Sequence, residues 1–416
     1  MFLNELRLEP VAAQGRIDTG AEEELFRRMG QRASAELLAR RWEEADSFEE
    51  RWCPDCGAGL RMLGLRKKKL QTLCGPIEVR RRVWYCQSCR ATYAPLDRRL
   101  GTDESGITPG LMRVICRVAL ELAYKQSADL LADTLGFVPC SARQVERIAK
   151  RHGARMDQHV DEGEPCRPRQ QRRRQQPPYC LAIDGTMIPG LADAQEHRLV
   201  WHEVKVATLF DPRGIKPPLY VAASENTERF QERLWKQLQV TGIDAHDVRL
   251  VLGDGAVWIW NLVDSCFPSA SQLLDFYHAA EHLHATAEAL WAEPTRRTWW
   301  HRRLNQLKDG QLSNFFAALK LIARRHETTD PELSPKRLLK YFSDNCQRLN
   351  YCWALEHRLP IGSGAVESAA RHIVQQRLKQ SGMRWSIPGA QAVLNLRTYH
   401  RNGAFEQYWE NHAAAG

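Results

Sequence analysis

Hydrophobic and polar positions along the chain change period several times, and each period predicts a different kind of element. "AEEELFRRMGQRASAELLARRWEEA" spaces its apolar residues as a helix does and predicts an amphipathic helix within residues 1–45. Beyond it, Ile77, Val79, Val83 and Tyr85 alternate with Glu78, Arg80, Arg82 and Trp84, the period-two pattern of a strand with one buried face. Helical spacing returns between residues 107 and 153 in three pieces, "ITPGLMRVICRVALELAY", "SADLLADTLG" and "SARQVERIAKRHG". The third opens with Ser141 and Gln144 at capping-box spacing. Residues 161–178 are rich in Arg, Gln and Pro, carry no apolar period, and predict an extended basic linker that marks a domain boundary near 178.

After the linker, "YCLAIDGTMIPG", "HRLVWHEVKVATLF" and "PPLYVAAS" predict three successive strands. "NTERFQERLWKQLQVTG" predicts a helix, "VRLVLGDGA" a buried strand, "WIWNLVDSCF" a helix, and "SQLLDFYH" a fifth strand that runs into another helix. Three adjacent strands followed by helix–strand alternation is the order of an RNase H-like α/β domain. "WWHRRLNQLKDG" and "RLLKYFSDNCQRLNYCWALEHRL" predict an all-α insertion over 285–356, which would split that core into 179–284 and 357–416.

Composition narrows the class. The 416 residues are 43% hydrophobic and 26% charged, as in globular proteins with room for two or three cores. No apolar run reaches the roughly 18 to 20 residues that cross a bilayer, and the start lacks the layout of a secretory signal, so a cytoplasmic, nucleoid-associated location without membrane contact is expected. The net charge is +9, and residues 61–99 alone hold eleven basic and two acidic residues. Such clustering points to a polyanion, nucleic acid before membrane, although a solvated basic face is the commoner cause of a charge run taken alone.

Four of the twelve cysteines, Cys53, Cys56, Cys86 and Cys89, form two CxxC pairs joined through strand-like sequence; the others are scattered. Tetrahedral zinc takes four thiolates, and each CxxC loop presents two, so residues 46–104 are expected to be a zinc ribbon with one structural Zn²⁺. The helices of 105–160, with a Gly-containing turn and a basic third helix exposing Arg143, Arg147, Lys150 and Arg151, have the layout of a helix-turn-helix-like DNA-binding region. The expected fold class is therefore multidomain α+β: zinc ribbon and helical region, then an RNase H-like catalytic domain with its all-α insertion.

Two predicted strands end in Asp-Gly, at Asp184 and Asp254. Acids at the ends of buried strands sit where an α/β sheet opens its ligand crevice, whereas singly each reads more simply as a turn or helix cap. Residues 357–401 contain seven Arg or Lys and one acid, Glu367. It is either an ion-pair partner of Arg371 or, if its helix packs back on the sheet, the third of three converging carboxylates whose repulsion divalent cations would offset. Arg371, Arg377 and Lys379 follow and would then face a phosphodiester backbone.

"AIDGTMIP", "GDGAVWIW", "DFYHAAEHL" and "PIGSGAVESAARHIVQQRLKQSGMRWS" resemble the motif blocks of ISKra-type insertion-sequence transposases, a bacterial DDE family, over residues 179 to about 401. The resemblance implies that Asp184, Asp254 and Glu367 are the catalytic triad, holding two Mg²⁺ (or Mn²⁺) ions. It implies as substrate double-stranded DNA, the transposon's terminal inverted repeats and the target, cleaved and joined through a 3′ hydroxyl. A homodimer or larger DNA complex is the expected assembly. "DFYH" also resembles the D-x-x-H element of Mutator-like transposases, which would place Asp275 and His278 beside the active site. Two rival readings use the same residues: a zinc metallohydrolase built on "HAAEH", residues 278–282, and a non-catalytic DNA-binding regulator descended from a transposase.

Overall fold

The computed structural model describes residues 18–46, 52–102, 105–162, 179–191 and 200–414, in a mixed α+β arrangement with two sheets. Apart from residue 161, which ends a helix, and 162, in a turn, the expected basic linker lies outside the described residues, as do residues 197–199, the expected start of the second strand of the α/β half. The chain forms two units, 1–151 with 406–416, and 152–405. Among the described residues no helix is long and apolar enough to cross a membrane.

In the first unit, α1 (Thr19–Ala45) starts at Asp18, whose carboxylate accepts from the Ala21 amide at 3.1 Å. The hairpin β1 (Leu60–Thr72) and β2 (Gly75–Cys86) is joined by β3 (Ala91–Tyr93) in an antiparallel sheet. Leu70, Ile77 and Val79 form its core, covered by Ala35, Leu38, Ala39 and Trp42 of α1. Leu25, Phe26 and Leu37 of α1 stay exposed, so the helix is less sharply two-faced than its sequence suggests. The period-two reading of β2 holds to Val79 and then fails: Trp84, expected outside, is buried. Leu63 is an extra residue in β1, with Gly64 at φ 113°, and Trp84 and Cys86, on the face opposite Val83, are both buried.

Helices α2 (Pro95–Arg99), α3 (Pro109–Ala119) and α4 (Tyr124–Leu135) follow, then α5 (Ala142–Asp161). The capping box is present, with the Gln144 amide donating to Ser141 Oγ at 3.3 Å and the Ser141 amide to Gln144 Oε1 at 2.9 Å. The two units divide between Arg151 and His152, inside α5. From His152 onward α5 is core to the second unit. A Cβ on Gly153 would lie 2.2 Å from the Ala392 carbonyl oxygen, Asn395 donates to the Gly153 carbonyl at 3.0 Å, and buried Arg233 pairs with Asp157 at 2.8 Å.

The second unit is built on β4 (Tyr179–Pro189), β5 (Trp201–Phe210), β6 (Leu219–Ala223), β7 (Val248–Gly253) and β8 (Ser271–Leu274), in the spatial order β6-β5-β4-β7-β8. β4 pairs antiparallel with β5 and β5 with β6, while β7 and β8 run parallel to β4. Helices α6 (Thr227–Thr241) and α7 (Val257–Cys266) provide the connections between strands, and α8 (Phe276–Leu290) leaves β8. Then come α9 (Thr295–Lys308), α10 (Leu312–Arg325), α11 (Pro335–Asp344) and α12 (Tyr351–Glu356), the expected helical insertion. The chain returns through α13 (Gly364–Ala369), a π-helical turn (Ala370–Gln375), α14 (Gln376–Leu378) and α15 (Ile387–Arg401); α16 is Phe405–Ala414. On the β6 edge, the Asn402 side chain accepts from the Tyr220 amide and donates to its carbonyl, both at 2.9 Å.

Candidate metal and catalytic sites

The two CxxC loops bring Cys53, Cys56, Cys86 and Cys89 together, their sulfurs all within 4.8 Å of one another. Cys53 and Cys89 are 3.8 Å apart and Cys56 and Cys86 3.6 Å. Each loop is held by its own backbone: the Gly57 amide donates to the Cys53 carbonyl at 2.9 Å, and the Cys89 amide reaches Cys86 Sγ at 3.4 Å. Burial opposes ionisation of Cys53, but the Tyr93 hydroxyl and nearby amides outweigh it and hold the thiol at about 6. Cys89 is pushed up to about 12, first by its hydrogen bond with Cys56 and then by burial. One easily formed thiolate that disfavours the next is the state a cation relieves, and a group of four sulfurs could hold a metal ion such as zinc.

The carboxylate site is assembled from separate elements. The last parallel pair of β4 and β7 is Ala182 with Leu252. Asp184 lies two residues further along β4, and Asp254 is the first residue beyond the carboxyl end of the adjacent strand β7. Asp184 Oδ1 accepts from the Gly185 amide at 2.7 Å; Asp254 Oδ1 accepts from Ala256 at 2.9 Å, so it also shapes the turn into α7. Burial, opposed by the Gly185 amide, is the main cause that raises Asp184 to about 6; the charges of Asp254 and Glu367 push the same way, against His278. These four groups therefore share one electrostatic neighbourhood. Their spacing is wider than in the sulfur cluster: among the described residues, only the cysteines form a group of three or more metal-binding side chains within 4.8 Å.

Glu367 lies on α13, which packs on β4 and β5. Its side chain is exposed, accepts from Ser363 Oγ at 3.1 Å, and forms no ion pair with Arg371 among the described residues. What holds α13 in place is Asp275. This residue is 1% exposed; its two carboxylate oxygens accept from the His278 amide at 2.7 Å and from the Ser363 amide, while the Phe276 amide donates to the Ile361 carbonyl at 2.9 Å. Asp275 thus joins the start of α8 to the loop before Glu367. Gly362 in that loop is needed for space, since a Cβ would lie 2.4 Å from the Tyr277 ring. After α13 the helix widens into its π turn, and the buried Arg397 guanidinium donates to the carbonyls of Ile373, at 2.8 Å, and His372.

His278 and His282 have their Nε2 atoms 3.2 Å apart, and Glu281 lies 3.7 Å from His278 Nδ1. No third ligand joins the two histidines within 4.8 Å among the described residues, so the "HAAEH" pattern is not seen to gather a metal site. His282 instead stacks on Tyr341 of α11, with ring centres 4.3 Å apart, and Tyr341 donates to the Asp254 carbonyl at 3.0 Å. That contact of the insertion with a candidate catalytic strand carries no sequence signal.

The basic residues expected to meet DNA are placed unequally. Arg143 and Arg147 of α5 are exposed, with Arg147 donating to Ser105 at 2.7 Å. Lys150 pairs with Glu146 at 2.6 Å, and Arg151 lies half-buried, with Nη2 3.7 Å from Met112 Sδ. Arg371 is exposed, and Lys379 donates to Thr186 Oγ1 at 3.0 Å, two residues from Asp184 on the same face of β4. Arg377 is a correction: it is 1% exposed, with its guanidinium over the Trp385 ring at 5.1 Å, because the widened helix turns it inward.

Residues 60–412 match an uncharacterised protein family, UPF0236, and the chain belongs to that family. A search of curated proteins finds no match.

Proposed function

Taking membership of that uncharacterised family as the starting point, we propose that the chain is a DDE transposase of a bacterial insertion sequence, with an RNase H-like catalytic domain. The observation that carries this reading is Asp184 on β4 beside Asp254, just past the end of the adjacent strand β7, with the charges of Asp254 and Glu367 both felt at Asp184. A sheet order β6-β5-β4-β7-β8 with only β5 and its two pairings antiparallel is the arrangement the RNase H-like reading requires.

An all-oxygen donor set suits a hard divalent cation, and a buried acid that resists ionising beside two others is what such a cation would offset. Asp184, Asp254 and Glu367 would hold magnesium or manganese, two ions, which when bound supply activation of the attacking hydroxyl and stabilisation of the leaving oxygen. Asp275 acts as a positioning residue by fixing the loop that carries Glu367. Lys379 and exposed Arg371 offer positive charge to the phosphodiester. In the first unit, the four thiolates would hold one structural zinc, and Arg143 and Arg147 would grip phosphates of the terminal inverted repeats. Bringing two transposon ends together calls for at least a dimer.

The test is strand transfer by the purified protein on a duplex carrying the flanking inverted repeat, with Mg²⁺ or with EDTA. Metal-dependent joined product that vanishes in Glu367→Gln is the expected result. Wild-type protein that binds the repeat in Mg²⁺ but never cuts it would overturn the reading.

A further inference from the structure

We infer that the cleft between α9 and α10, in the helical insertion, is a binding site for an unpaired nucleotide of a single DNA strand. It has two adjoining halves of about 720 and 490 Å³ that share Thr298, Arg302, Arg303 and Ala318. The larger half is polar, with Asn305, Gln306 and Asn314 on its walls; the smaller is aromatic, with Trp291, Trp299 and His326. Trp291 and Trp299 have ring centres 5.2 Å apart, and His326 stands edge-on to Trp291 at 5.4 Å.

Arg303 stands on the wall common to both halves. It is only 5% exposed, and among the described residues its buried Nε has no hydrogen-bond partner, while the guanidinium carbon lies 5.5 Å from the Trp299 ring centre. A buried N–H without an acceptor suits an anion, because its desolvation has already been paid for in the free protein. Gln306 Oε1, also buried and unpartnered, faces the same half. Asp309 is the one acid lining the cleft and is exposed at its rim.

The charge of the surrounding helices agrees. α9 carries Arg296, Arg297, Arg302, Arg303 and Lys308, and α10 carries Lys320, Arg324 and Arg325, with no acid on either. Among the described residues only Arg296 of these eight forms ion pairs, with Glu288 and Glu293. Trp300 is different from its neighbour: its Nε1 is tied to the Ala280 carbonyl at 3.1 Å and anchors α9 to α8. A π-surface beside an unpaired guanidinium and amide groups matches a nucleobase next to its phosphate, and stacking on aromatic rings within a basic groove is how single strands are held without sequence readout. The choice of DNA as the strand rests on the proposed function; the cleft itself does not.

The experiment uses the full chain in EDTA and a single-stranded oligodeoxynucleotide containing 2-aminopurine. Binding should quench the base fluorescence. Arg303→Met and Arg302→Ala should each weaken affinity about tenfold, and Trp299→Leu should remove the quench. Arg302 is exposed, so its variant reads the site even if Arg303→Met does not fold. Unchanged affinity in Arg302→Ala would overturn the proposal, as would equal binding of an abasic strand or tighter binding of the same sequence as RNA. Binding with quench in a protein that performs no strand transfer would remove the proposed function and leave this site standing.

Discussion

The sulfur cluster and the carboxylate site answer the same problem, holding like charges together, in opposite ways. The four cysteines come from two short loops whose backbone amides shape each pair locally, and their sulfurs lie within 4.8 Å of one another. The three acids come from two strands and a helix more than a hundred residues further along, and they are less tightly gathered. Local loop geometry can fix a closed site. A site assembled through the tertiary fold instead leaves room for substrate oxygens, which a catalytic centre needs and a structural one does not.

The largest effect that would sharpen this contrast is on activity. Asp254→Asn should abolish strand transfer while leaving the melting temperature and inverted-repeat binding unchanged, because the amide oxygen can still accept from Ala256. Unfolding of this variant would make Asp254 a turn residue alone. Next in size is the double variant Cys53→Ser, Cys56→Ser. Structural zinc in small modules is worth roughly 10–16 kcal/mol of apparent binding energy. Elemental analysis should fall from one zinc equivalent to none, and hydrogen exchange should rise sharply in 52–93 while the 179–274 sheet stays protected.

The third prediction concerns pH. Asp184 is raised when folded to about 6, above the ordinary aspartate value of about 3.9, so between about pH 4 and 6 the folded chain binds more protons and stability falls as pH rises. At about 1.4 kcal/mol per pKa unit, this costs at most on the order of 3 kcal/mol at neutral pH. Asp184→Asn should therefore melt at higher temperature than wild type at pH 7 in EDTA, lose that advantage near pH 4, and fall behind when Mg²⁺ is added. Equal melting across the range would mean that Asp184 is not strained by burial and its neighbours. The smallest effect is expected from Gly362→Ala. The Tyr277 ring is exposed and can move aside, so stability should drop by about 1 kcal/mol or less while strand transfer slows; Tyr277→Ala should restore the rate.

The same contrast explains what was readable in the chain. CxxC spacing, the Ser141 and Gln144 capping box, and the apolar runs before Asp184 and Asp254 are local signals, and the structure contains each corresponding element. Trp84 and Arg377 are buried where the local pattern predicts exposure, because tertiary packing overrides that pattern. A widened helix turns Arg377 inward, and α15 packs on the second half of α5. The role of Asp275 was hidden for a related reason: one of its two acceptor bonds comes from Ser363, far away in sequence, and only the folded chain brings that amide to it.

The pairing of Asn402 with Tyr220 has a bearing on how copies of the chain meet. The outer edge of β6 would otherwise offer that amide and carbonyl to any extended segment, including the same strand of another molecule. A carboxamide already occupies both, so addition of another molecule's strand to this edge is blocked at that point.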